Sequence, residues 1–135
     1  MLPTLMPPTL MHTLHVELGD RGYPIFIGRD LLGDADCLRP YIAGRQVAII
    51  SNTTVAPLFM EHIRAALGEA YAVTEVILPD GESFKTLDTV SGIFDDVLAA
   101  GHNRTTTFIA LGGGVVGDMA GFAAACYQRG VAFIQ

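Results

Sequence analysis

The chain has 135 residues, 50% of them hydrophobic and 16% charged, which is enough apolar material for one buried core and excludes a disordered composition. Eight Lys and Arg against fourteen Asp and Glu give a net charge of −6. An acidic surface argues against nucleic acid as a partner, because phosphate backbones need clustered cations.

Residues 1–10 are rich in Pro and Met, with no cationic start and no unbroken apolar stretch. They read as a flexible tail rather than a signal peptide, with Met11 as the working start and residues 11–135 as the domain. Residues 14–18 alternate apolar and polar, a Gly-Asp-Arg-Gly turn follows, and residues 23–27 run apolar, which predicts a β-hairpin with Pro24 on an edge. Residues 30–38 predict a short helix with Asp30 as N-cap. Residues 46–50 (QVAII) predict a buried strand. Thr53 or Thr54 then caps a helix that presents Val55, Leu58, Phe59, Ile63 and Leu67 on one face and stops at Gly68.

A strand over 72–78 is closed by Pro79-Asp80-Gly81. A helix over 86–100 carries Leu87, Val90, Phe94, Val97 and Leu98 on its stripe and stops at Gly101. Strand 106–111, a glycine turn, helix 115–128 and strand 131–135 complete the series. Strands alternating with helices predict an α/β fold: the hairpin, then a mostly parallel sheet with helices on both faces. The chain stops inside an apolar strand, which reads as the N-terminal piece of a longer protein or a truncated gene.

Mean hydropathy is +0.41, and residues 108–127 carry a single charge, Asp118. A membrane span is rejected there. Five glycines interrupt the stretch, and a carboxylate at mid-bilayer costs about 2.5–3.5 kcal/mol. Cys37 and Cys126 are far apart and read as buried reduced thiols of a cytoplasmic protein. His12, His15, His62 and His102 form no HxxxH or HExxH pair, so no metal site is expected within this chain.

Residues 112–117 satisfy GxGxxG between a predicted strand and a helix, the context of a pyrophosphate site. Glycine removes the Cβ from the path of a phosphate, and the helix N-terminus offers free N–H groups and partial positive charge. A purely structural glycine turn is the alternative. Asp118 reads either as an acid in the first helical turn, suited to the dipole, or as an acceptor for ribose or polyol hydroxyls. In Pro79-Asp80-Gly81-Glu82-Ser83-Phe84-Lys85-Thr86, Lys85 can neutralise phosphate and Glu82 can hold a hydroxyl; the other reading is a turn and a helix cap. Asn52 follows a strand as well, as a site residue or as a cap. Arg129 reads as a helix C-terminal cation or as a bidentate anion contact.

The segments PDGESFK (79–85), ALGGGVVGDMAGFAAACYQRGVAFIQ (110–135) and SNTTVAPLF (51–59) closely resemble the 3-dehydroquinate synthase family of sugar-phosphate cyclases. The resemblance covers residues 11–135. It implies a Rossmann-like NAD-binding N-terminal domain, followed in family members by a helical domain that holds a divalent metal, zinc or cobalt. Family members convert 3-deoxy-arabino-heptulosonate 7-phosphate to 3-dehydroquinate and phosphate. Position by position, it implies cofactor contacts at Asn52, at Asp80, Gly81, Glu82, Ser83, Phe84 and Lys85, and at Gly113, Gly114, Val115, Val116, Gly117 and Asp118. Arg129 matches a substrate-anion contact that can reach a neighbouring subunit, with a homodimer implied for the full-length form. The family's metal ligands and most substrate contacts belong to the missing C-terminal part, so no catalytic residue is expected here and this chain alone is expected to be inactive. Rival readings are another cyclase such as 2-deoxy-scyllo-inosose synthase, a non-catalytic nucleotide-binding module, and a conventional dehydrogenase domain. The hairpin and the PDGESFK segment speak against the last.

Overall fold

The structure is a computed structural model and describes residues 11–135; the tail assigned to residues 1–10 lies outside the described residues. Strands β1 (His12–Val16) and β2 (Tyr23–Ile27) form the expected antiparallel hairpin, turning through Gly19–Arg21. The helix expected over 30–38 is broken. Residues Leu31–Gly33 make a single 3-10 turn and only Ala35–Leu38 is α-helical (α1). Asp30 is no cap: it takes φ +56 and makes no capping bond, whereas an Asp34 carboxylate oxygen accepts the Asp36 N–H at 3.0 Å. Aspartate tolerates the left-handed region better than most residues, so the chain turns at Asp30 instead of starting a helix there.

Four parallel strands follow in the order β4-β3-β5-β6: β3 (Gln46–Asn52), β4 (Ala72–Leu78), β5 (Thr107–Ala110) and β6 (Ala132–Ile134). Between them run α2 (Ala56–Leu67), α3 (Leu87–Ala99) and α4 (Gly114–Cys126). Both faces of the sheet are covered, which is why β3 reads as an unbroken apolar run rather than an alternating one. Ala48 and Ile50 enter a core with α3 and α4, while Val47 and Ile49 enter a second core with α1 and α2.

The helices bury only part of the stripes read from sequence: Ile63 and Leu67 on α2 and Val90 and Val97 on α3 face inward as expected. On α2 the buried residues are Met60, Ile63, Ala66 and Leu67, while Leu58 and Phe59 are exposed. On α3, Val90, Ile93 and Val97 are buried and Leu87 and Leu98 are exposed. Helix α2 stops where expected, with Gly68 at φ +66, and the Arg39 Nε and Nη2 donate to the carbonyls of Ala66 and Leu67 at 2.8 and 2.7 Å. A fixed cation on unpaired C-terminal carbonyls also suits the helix dipole. The two thiols are free but not buried: Cys37 is half-buried and Cys126 exposed.

At the edge of the sheet where the strands begin, His102 is buried between two hydroxyls. Its Nε2 lies 2.8 Å from the Thr74 Oγ1 and its Nδ1 2.7 Å from the Thr106 Oγ1. Burial pushes the imidazole below its ordinary value, so the folded chain holds it neutral where the unfolded chain protonates. The unfolded state therefore binds more protons below about pH 6.5, and this contribution to stability is complete above that pH. It is expected to fall as the pH drops toward the lowered folded value, by up to about 1.4 kcal/mol per pH unit. Urea titrations at several pH values check this, and His102→Gln should flatten the acid limb.

Candidate functional site

From β3 the chain moves to β4 on one side and then returns past β3 to β5 on the other. The connections leaving β3 and β5 diverge, and a doubly wound sheet opens its ligand crevice at such a point, outside the carboxyl ends of the strands. Three segments meet there: Ser51 and Asn52 at the end of β3, residues 79–85 after β4, and the glycine turn after β5.

Asn52 organises this edge. Its side-chain oxygen accepts the N–H groups of Thr54 and Val55 at 3.0 and 2.8 Å, and its amide nitrogen donates to the Asp80 carboxylate at 3.3 Å. Asn52 thus holds the turn that leads into α2, whose N-cap is Val55 with no side-chain capping bond, so neither Thr53 nor Thr54 caps the helix. The Thr54 hydroxyl instead donates to Asp80 at 2.6 Å. The Ser51 hydroxyl donates to the Leu111 carbonyl at 2.8 Å and ties the end of β3 to the approach of the glycine turn. Sequence reasoning missed the parts played by Ser51 and Thr54; their position just past an apolar run was the available signal.

The segment after β4 folds back through Gly81, whose φ of +131 favours glycine, into one 3-10 turn over Glu82–Phe84. Ser83 and Phe84 are exposed. The Thr86 hydroxyl accepts the Thr89 N–H and caps α3. The Lys85 ammonium lies 3.1 Å from the Glu82 carboxylate and 3.0 Å from that of Asp118. Asp118 first, and then Glu82, holds that ammonium charged well beyond neutral pH. Asp118 is not in the first turn of its helix: α4 begins at Gly114 and its first turn contains no acid. The dipole reading of Asp118 therefore gives way to the ion pair with Lys85. Beyond the pair a shallow groove runs between α3 and α4 over Val90, Met119 and Phe122.

The glycine turn separates structural glycines from others. A Cβ on Gly112 would lie 3.0 Å from the Val116 side chain, tighter than ordinary contact, so Val116 would have to shift to admit it. At Gly113 and Gly114 a Cβ would meet nothing within 4 Å, and neither residue has a positive φ. The fold makes no demand for glycine at these two positions, yet the space before the N-terminus of α4 is kept clear. Gly113 also caps α4 without a side chain, leaving the first N–H groups of the helix unclaimed by any capping group. Val115 is half-buried, and Val116 and Gly117 are buried behind the turn.

Arg129 is not part of this cluster. It follows α4, whose 13 residues span about 20 Å, so it stands at the far end of the helix from the glycine turn. Among the described residues no three His, Cys, Asp or Glu side chains are placed to hold a metal ion. No helix among them is long and apolar enough to cross a membrane.

With this geometry in place, comparison with known proteins is informative. Residues 75–135 match the family model described as 3-dehydroquinate synthase N-terminal. The 3-dehydroquinate synthase of Pseudomonas putida (strain W619) is 63% identical over 125 residues, which are 93% of this chain and 34% of that protein. The enzyme of Azotobacter vinelandii (strain DJ / ATCC BAA-1303) is 60% identical with the same coverage. Over most of its length the chain is similar to 3-dehydroquinate synthases. It spans about a third of the length of the curated relatives it matches.

Among solved structures, a 2-deoxy-scyllo-inosose synthase complexed with carbaglucose-6-phosphate, NAD+ and Co2+ superimposes with a TM-score of 0.80 at 30% identity, over 90% of this chain and 34% of that one. ValA, a 2-epi-5-epi-valiolone synthase from Streptomyces hygroscopicus subsp. jinggangensis 5008 with NAD+ and Zn2+ bound, gives a TM-score of 0.65 at 28% identity, over 76% and 29% of the two chains. The α/β architecture is thus that of the dehydroquinate synthase-like cyclases.

Proposed function

We propose that residues 11–135 are the NAD-binding domain of a 3-dehydroquinate synthase, an enzyme that converts 3-deoxy-arabino-heptulosonate 7-phosphate to 3-dehydroquinate and phosphate. The observation that carries the reading is the open space at Gly113 and Gly114 before the N-terminus of α4. A pyrophosphate fits a place where N–H groups converge and no Cβ intrudes. NAD supplies reversible hydride transfer when bound.

This chain's residues then divide the work of holding it. Gly113, Gly114 and Val115 receive the pyrophosphate, with Val116 and Gly117 anchoring the turn from behind. Lys85 offers a point charge that can leave its carboxylate partners for a phosphate. Asp118 and Glu82, released from Lys85, accept from ribose hydroxyls. Asn52 and Asp80 shape the adenosine side, Gly81 sets the turn, and exposed Ser83 and Phe84 border it. Arg129, remote from this cluster, serves a substrate anion. The described residues do not suit a divalent ion, so none of them is assigned to the metal that the relatives' fold implies. The homodimer and the cytoplasmic location belong to the same proposal.

The identities of 60–63% to 3-dehydroquinate synthases support this substrate over that of a 2-deoxy-scyllo-inosose synthase, at 30%. Phosphate release by the full-length protein from the heptulosonate phosphate, compared with glucose 6-phosphate, separates the two. For the cofactor, Gly114→Val places a branched side chain in the open space. Calorimetric titration of NAD+ should show affinity falling at least about tenfold, or 1.4 kcal/mol. Unchanged affinity in a folded variant overturns the assignment of the glycine turn.

A further inference from the structure

Between α4 and β6 the chain makes a tight turn from Tyr127 to Gly130. Gln128 has φ +49 and ψ +35, Arg129 has φ +66, and the Gly130 N–H donates to the Tyr127 carbonyl at 2.8 Å. Positive φ at both central positions with that hydrogen bond describes a type I′ turn, which favours Asn and Gly. Gln and Arg instead carry side chains whose Cβ is crowded in the left-handed region. Strain of this kind persists only where the surroundings over-determine it, and it concentrates at functional positions. Both side chains are exposed, so neither residue is there to fill the core.

Tyr127, the first residue of the turn, is firmly anchored. Its side chain is buried, with its ring centroid 5.5 Å from that of Phe108 and stacked on Phe94 at 6.4 Å. Its hydroxyl donates to the His102 carbonyl at 2.6 Å, and His102 is itself pinned between Thr74 and Thr106. On the other side of the turn the Val131 N–H returns to the Ala124 carbonyl at 2.9 Å. We propose that Tyr127 is a positioning residue: its hydroxyl bond to the His102 carbonyl holds the strained Gln128–Arg129 turn and so fixes how Arg129 is presented to an oxyanion. This rests on the reading of Arg129 as an anion contact, and the test separates the two.

The test is nuclear magnetic resonance on the full chain. Three-bond HN–Hα couplings and Cα shifts of Gln128 and Arg129 report φ, while titration with inorganic phosphate is followed at the Arg129 side-chain Nε–H. In Tyr127→Phe, with the fold retained, both residues are expected to leave the left-handed region and the phosphate response to weaken about fivefold. Adding Gln128→Gly, which relieves the crowding at that position, should restore both readouts. A hydroxyl that serves packing alone would lower Tm without moving the couplings and would not be rescued by Gln128→Gly. Wild-type couplings in folded Tyr127→Phe overturn the proposal. A turn that is lost in Tyr127→Phe and rescued by glycine, with no phosphate response even in the wild type, leaves Tyr127 setting the turn and overturns the anion reading of Arg129.

Discussion

Phe108→Ala is expected to cost about 3–5 kcal/mol, a large share of the roughly 5–15 kcal/mol that holds an ordinary domain together. Phe108 is fully buried on β5, a central strand of the parallel sheet, and it lies against Tyr127 in the core shared with α3 and α4. Truncation leaves a cavity that neighbours fixed to the sheet cannot collapse to fill. Urea denaturation checks it: the midpoint should fall far below that of the wild type, or the variant should be unfolded at 25 °C. A loss below about 1 kcal/mol would mean that this core is loosely packed.

Lys85→Glu is expected to have the largest effect on cofactor binding, a loss of NAD+ affinity of about a hundredfold. The substitution removes the cation between Glu82 and Asp118 and sets three carboxylates at the mouth of the crevice, where two phosphates must approach. The melting temperature should stay close to that of the wild type, because exposed ion pairs contribute little to folding. Calorimetry and a thermal melt on the same preparation separate the two effects. A variant that binds NAD+ as tightly as the wild type would remove Lys85 from the site.

The alternation of strands and helices, the stop at Gly68 and the parallel sheet could all be read from sequence, because each rests on local chemistry: apolar runs, glycine at helix ends, and the period of the pattern. What could not be read depends on partners distant along the chain. Leu58 and Phe59 fit a helical stripe with Ile63 and Leu67, but α2 buries Met60 and Ala66 beside Ile63 and Leu67 and leaves Leu58 and Phe59 exposed, and only the position of β3 and α1 sets that tilt. Asp30 and Thr54 are good capping residues, yet Asp34 caps α1 after a 3-10 turn, and Asn52 at the end of β3 holds the turn before α2, whose start has no side-chain cap.

The site divides in the same way. GxGxxG marked the turn, but that Gly112 is crowded by Val116 while Gly113 and Gly114 stand before open space follows only from the three-dimensional packing. Lys85 and Asp118 are 33 residues apart, and their pairing comes from α3 and α4 lying side by side on one face of the sheet. Arg129, read from sequence as a substrate-anion contact apart from the cofactor motifs, stands at the far end of α4 from them.

The claim on which the account turns is that the glycine turn and the two strand ends beside it hold NAD. The most direct measurement is a titration of NAD+ into isotope-labelled protein, followed by amide chemical shifts. Saturable shifts are predicted at Gly113, Gly114 and Val115, with Lys85, Asp118 and Asp80 moving along the same binding curve, while His102 and Tyr127 at the opposite end of the sheet stay still. Shifts that saturate around His102 and Tyr127 with the glycine turn unmoved, or no saturable shift anywhere, would contradict it.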